Sequence, residues 1–271
     1  MVVGIIRCGS YLPVGADSFF LNTLSVSNIQ ESWSIPVDSV INTYVSILGR
    51  DNLYGIYLRG SVAKGTAVDY VSDIDSVAIL RSDIHIDPHL FNSSNKLIIS
   101  ESPFVKKIEN ICIFEKNFFL ADSYRYSRLL MATESVCLWG NNIVDHLPRY
   151  KLDRNFINLL PLDLEKHIYK MRSEFVFSSP SSEYMYVICI FLMKKILRQA
   201  MNMLVFKSGL YSRDLYLCYE VFSRYYPEKK SQMYEVLFYA INPSSDMFLV
   251  ERILSGIGDW LVQESLLVAS A

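Results

Sequence analysis

This chain has no cysteine spacing of the kind that builds a zinc site or a disulfide frame. Its five cysteines (Cys8, Cys112, Cys137, Cys189 and Cys218) are scattered, odd in number and never in a C-x-x-C pair. That usage points to reduced thiols and a cytoplasmic setting. A strong charge of either sign is missing too. The formal net charge is −2 over 271 residues, which argues against a general polyanion-binding surface and leaves room for a local basic pocket. The N-terminal "MVVGIIRCGSYLPVGADS" has no basic segment ahead of an apolar core, so no signal peptide is expected. The strongest apolar run, Tyr184 to Met193, is cut by Lys194 and Lys195. It falls short of the ~20 residues of a bilayer crossing, so a core helix and no membrane partner are expected. What the chain does have is 51% apolar and 20% charged residues, the make-up of a globular protein with ample core.

The two halves differ in texture. In the first, Val37, Val40, Ile41, Tyr44, Val45 and Leu48 recur at helical spacing and Gly49 stops the helix. "NLYGIYLRG" reads as a strand ending at Gly60, a short helix opens at Ser61, and "DIDSVAIL" is a second strand. "DPHLFNSSNKLIISESPF" reads as a loop with one helical piece, and "KIENICIFEKNFFL" as a third strand. From about Pro148 glycine is absent until Gly209, and helical periods dominate. Helices are expected over 163–177, 183–207, 212–226, 230–240 and 245–269, the last broken near Gly256 and Gly258. Ser212 and Ser245 stand where N-caps belong. The expected fold is α+β: a small mixed-sheet domain over 1–147, then an all-helical domain over 148–271.

The chemistry concentrates in "YLRGSVAKGTAVDYVSDIDSVAIL". Residues two apart on a strand project to one face, so Asp73 and Asp75 lie side by side. Adjacent carboxylates repel, and they persist together when a cation sits between them. Paired hard oxygens favour Mg²⁺, which keeps waters and completes its shell with substrate phosphates. Upstream, Gly60 lets the backbone turn tightly and Ser61 opens a helix whose free N–H groups suit an anion. A phosphate cradle and a divalent-metal pair, separated by the 11 residues from Val62 to Ser72, describe a site for a nucleoside triphosphate.

Those residues resemble the signature of the nucleotidyltransferase superfamily related to DNA polymerase β. The fuller motif is matched by Gly60, Ser61, Gly65, Thr66, Ser72, Asp73, Ile74 and Asp75. The resemblance implies that Asp73 and Asp75 bind two Mg²⁺ ions and that Ser61 holds the β- and γ-phosphates, with Gly60, Lys64 and Ser72 completing the nucleotide cradle. The reaction implied is transfer of a nucleoside monophosphate, AMP from ATP being the expected case, to an acceptor hydroxyl with release of pyrophosphate. The family's third carboxylate is assigned to Glu109, a catalytic and metal-binding role, with Glu115 as the rival. In the helical half, "AMNMLVFKSGLYSRDLYLCYEVFSRYYPE" is similar to the segment carrying a phosphate-binding lysine, a place taken here by Arg213. Lys194, Lys195 and Arg198 are expected on a solvated helix face.

The acceptor stays open between three classes. The resemblance is greatest to aminoglycoside adenylyltransferases of bacteria, which implies a small polycationic molecule. Residues 151–271 hold 14 basic and 13 acidic residues, and Asp163, Glu165, Glu174 and Glu183 are the candidates for a local acidic pocket. Transfer to a macromolecule, tRNA or protein, is the alternative. A non-catalytic nucleotide-binding module is the third, and the intact Asp73/Asp75 pair argues against it.

Overall fold

The computed structural model describes residues 2–87, 89–177 and 180–270. Met1, Pro88, Ser178, Ser179 and Ala271, which fall within the expected spans, lie outside the described residues. Two compact units form the chain: residues 13–151, and residues 2–12 together with 152–270.

The first unit is built on helix α1 (Glu31–Leu48), strand β1 (Leu53–Arg59), helix α2 (Gly60–Ala63), strand β2 (Asp73–Leu80), helix α3 (Asn92–Glu101), strand β3 (Lys107–Phe114), helices α4 (Glu115–Leu120) and α5 (Arg125–Glu134), and strand β4 (Ser135–Gly140). The four strands form one mixed sheet in the order β3-β2-β1-β4. β1 runs antiparallel to β2 and β4, and β2 runs parallel to β3. Alternation along the strands gives the sheet two apolar faces. On one, Ile74, Ala78 and Leu80 pack with Trp33, Val37, Val40 and Tyr44 of α1 and Ile98 of α3. On the other, Tyr57, Val77, Ile79 and Ile113 pack with Phe118 and Met131.

Three details differ from the sequence reading. α1 begins at Glu31, a turn and a half before the apolar spacing that starts at Val37, and Pro36 lies inside it. The third strand stops at Phe114, because the buried Phe118 follows at helical rather than strand spacing and Glu115 opens α4 with an acid in its first turn. β4 was not expected at all. It is six residues long and half-exposed along most of its length, too short for alternation to mark it.

The second unit is helical: α6 (Arg154–Ile157), α7 (Leu164–Phe177), α8 (Ser182–Ser208), α9 (Leu215–Tyr225), α10 (Lys230–Ile241), α11 (Met247–Ile253) and α12 (Asp259–Ser270). α8 is the centre of this unit, with Met185, Cys189, Leu192, Met193, Ile196, Leu197, Ala200, Met201 and Leu204 buried at helical spacing. It starts at Ser181, whose side chain accepts from the Tyr184 N–H, and stops at Gly209 in the left-handed conformation. A π-helical turn over Leu254–Gly258 separates α11 from α12 where the break was expected. The expected caps move by one or two residues. Asp246 accepts from the Phe248 and Leu249 N–H groups, and Asp214 precedes α9. Ser212 instead donates its hydroxyl to the Ser10 carbonyl at 2.8 Å, tying in the N-terminal residues. Among the described residues no helix is long and apolar enough to cross a membrane.

Candidate active site

β1 ends at Arg59 and the chain turns at once into α2. Gly60 makes that turn with φ +75°, a left-handed value that disfavours any side chain. Space is limiting as well, since a Cβ on Gly60 would stand 2.5 Å from Asp75 Oδ2. The glycine is therefore what lets the backbone pass over the aspartate. Gly60→Ala is expected to cost about 1–2 kcal/mol and to push the Asp75 carboxylate from its place. Urea unfolding reads the first effect and a crystal structure of the variant the second; unchanged stability with Asp75 in place would count against this account.

Below the turn, Ser61 donates its hydroxyl to Ser72 Oγ at 2.9 Å, and Ser72 Oγ also accepts from the Val68 N–H at 2.9 Å. Ser72, buried, thus clasps the 11-residue connection shut just before β2 begins. Gly65, at φ +68°, closes the same connection against the Asn28 carbonyl, where a Cβ would come within 2.3 Å.

Register then gathers the acids. Asp75 is the partner of Arg59 on β1 and of Glu109 on β3, while Asp73 is the partner of Lys107. Asp73 and Asp75 continue the row of Val77 and Ile79, and Glu109 continues the row of Ile111 and Ile113. All three carboxylates are therefore on one sheet face, at the end of β2 where the Gly60 turn lies. Glu115 is not with them. It opens α4 beyond the far end of β3, six positions or about 20 Å along the strand direction from Glu109.

Two cations share this face, and the sequence reading named neither. Arg59 stands across from Asp75. Lys107 Nζ lies 2.6 Å from Glu109 Oε1. Burial tends to lower the pKa of the Lys107 ammonium, but the hydrogen bond to Glu109 and the charges of Glu109, Asp73 and Asp75 raise it above the ordinary lysine value. Only the alternation of "KIENICIF", combined with a parallel register, could have revealed it.

Lys64 has a setting other than the expected phosphate contact. Its ammonium is 2.5 Å from Glu134 Oε1, with both side chains almost fully buried. The pair joins the turn after α2 to the junction of α5 and β4. Arg213 lies in the helical unit, in the segment before α9. In that unit Lys195 is not freely solvated, since it pairs with Asp163 at 2.5 Å. Asp163 also meets His167 at 3.0 Å, and Glu174 accepts from the Tyr184 hydroxyl at 2.6 Å. Two of the four acids considered for a cation pocket are thus already engaged.

Asp73, Asp75 and Glu109 fit Mg²⁺ in donor type and in placement on adjacent strands. Among the described residues no three His, Cys, Asp or Glu side chains converge closely enough to hold a metal ion, and Glu109 is turned onto Lys107.

A mixed sheet with a Gly-Ser turn facing an Asp-x-Asp strand, joined to a helical C-terminal region, is a nucleotidyltransferase fold. Among solved structures the chain is similar to spectinomycin adenyltransferase AAD(9) from Enterococcus faecialis, determined with ATP and spectinomycin. The likeness has a TM-score of 0.55 at 12% identity and covers 85% of this chain and 98% of that one. At that identity the likeness shows the fold alone. No protein-family model matches the sequence, and no curated protein does.

Proposed function

We propose that the protein is a Mg²⁺-dependent nucleotidyltransferase that moves AMP from ATP to a hydroxyl of a small, aminoglycoside-like acceptor. The observation that carries this reading is the register placing Asp75 beside Glu109, with Asp73 on the same face, under the Gly60 turn. The likeness to an adenyltransferase determined with ATP and spectinomycin supports the choice of nucleotide and of acceptor class.

In this reading Asp73, Asp75 and Glu109 would hold Mg²⁺, which would supply positive charge against the triphosphate and make a nearby hydroxyl easier to deprotonate. Ser61 turns its hydroxyl from Ser72 to the β- and γ-phosphates, and Gly60 lets them approach the backbone. Glu109 accepts the proton of the acceptor hydroxyl. The freed oxygen attacks the α-phosphorus, and the bond to the bridging oxygen breaks, releasing pyrophosphate. Arg59, opposite Asp75, balances the added negative charge. The remaining contribution is alignment of the reacting atoms. Arg213 is retained as a phosphate ligand and Lys64 as part of the cradle on the resemblance alone.

Incubation with α-labelled ATP, Mg²⁺ and a panel of aminoglycosides and spectinomycin tests this. Label is expected on a small molecule, and Glu109→Gln is expected to slow its appearance about 10²–10⁴-fold, the usual worth of a positioned base. Glu115→Gln should leave the rate unchanged. Label on tRNA or protein instead would move the acceptor to a macromolecule. A dead Glu115→Gln with an active Glu109→Gln would overturn the assignment of the base.

A further inference from the structure

The acidic face carries its own cation. Lys107 is the register partner of Asp73 on the neighbouring strand, and its side chain reaches along the same face to Glu109, 2.6 Å away. Asp73, Asp75 and Glu109 supply three negative charges there. Facing them are Lys107 on β3 and Arg59 on β1. Arg59 is the register partner of Asp75 on the far side of β2 from Glu109. Lys107 is therefore the cation placed on the strand that bears Glu109. Glu109 cannot ligate a metal with the oxygen it gives to the Lys107 ammonium, and among the described residues the acids are not gathered into a three-ligand set. An ammonium in that position competes with a divalent ion for the same oxygens.

Lys107 is also half-exposed, on a flexible four-carbon stem. A triphosphate arriving at the Gly60 turn offers it stronger acceptors than one carboxylate. We propose that Lys107 is a built-in counter-cation of the acidic face, holding Glu109 in a metal-incompetent position until a nucleoside triphosphate draws the ammonium away. Metal binding thereby becomes dependent on nucleotide. This rests on the nucleotidyltransferase reading and assigns Lys107 as a positioning residue that acts through Glu109.

The test is Mn²⁺ binding followed by electron paramagnetic resonance, with and without a non-hydrolysable ATP analogue, so that no turnover is needed. The wild type should bind Mn²⁺ weakly alone and more tightly with the analogue. Lys107→Met should bind Mn²⁺ alone about tenfold more tightly, the scale of one close charge removed from a partly exposed site, and the gain from nucleotide should shrink. Lys107→Arg, which keeps the charge, should behave as the wild type. Lys107→Gln serves in place of Lys107→Met should the latter not fold. Equal Mn²⁺ affinities for the wild type and Lys107→Met overturn the inference and leave the nucleotidyltransferase reading standing. Absence of Mn²⁺ binding in both proteins, with and without the analogue, overturns both.

Discussion

Asp75→Asn is expected to abolish nucleotidyl transfer, by about a thousandfold or more, while the protein stays folded. Asp75 is the central member of the acid row, register-paired with Arg59 on one side and Glu109 on the other, and its Oδ2 is the atom that a Cβ at residue 60 would meet. Asparagine keeps the shape and loses the charge. A carboxylate that brings in a catalytic divalent ion is worth several kcal/mol in the transition state, and each 1.36 kcal/mol is about tenfold in rate. Stability moves the other way or hardly at all. Removing one of two like charges on one face relieves repulsion, so unfolding by urea should shift by no more than about 0.5 kcal/mol. Transfer of α-label to the acceptor is the assay, and Asp73→Asn should behave alike. Activity within tenfold of the wild type in both variants would remove the basis of the site assignment.

A large loss of stability is expected at Lys64 and Glu134. Their ion pair is 2.5 Å long and almost wholly out of water. Taking away one partner leaves a buried charge without its counter-charge, at a cost of about 3–5 kcal/mol. Against the ~5–15 kcal/mol that holds a typical domain together, either Lys64→Met or Glu134→Leu should lower the melting temperature sharply. The double variant Lys64→Met with Glu134→Leu should cost much less than the two singles added together, because an apolar pair of similar volume needs no solvation. Additive losses would mean that the two residues act independently. The same set of variants decides what Lys64 does. A lysine that contacts phosphate would weaken nucleotide binding in Lys64→Met even after stability is restored by the second substitution. One committed to Glu134 would leave nucleotide affinity in the double variant near that of the wild type.

Much of the sheet was legible because its strands are marked locally. "NLYGIYLRG" and "DIDSVAIL" are short apolar runs closed by glycine or opened by a polar turn, and buried β-strands need no more than that. The long helices 182–208 and 230–241 announced themselves through apolar spacing, with boundaries off by only one residue. β4 was missed because a short, half-exposed strand has no period to read. The cap at α9 was missed for a different reason. Ser212 is locally a good cap, but its hydroxyl is taken by Ser10, some 200 residues away in sequence. The same applies to the association of residues 2–12 with the helical unit, through Asn242 to Val3 and Asp214 to the Ser10 N–H. Nothing in the N-terminal dozen residues signals those partners.

The placement of Asp73 and Asp75 on one strand face, and the Gly60–Ser61 turn before them, were legible in the sequence because side-chain period and turn chemistry act over a few residues. Which carboxylate faces Asp75 was undecided between Glu109 and Glu115. Only the parallel pairing of β2 with β3 puts Glu109 opposite it and ends the strand before Glu115. Pairing register is a non-local property, settled by the burial of both sheet faces at once. For the same reason Lys107 beside Glu109 and Lys64 against Glu134 belong to the tertiary structure alone. A charged side chain takes its partner from the element packed next to it, and no stretch of sequence names that element.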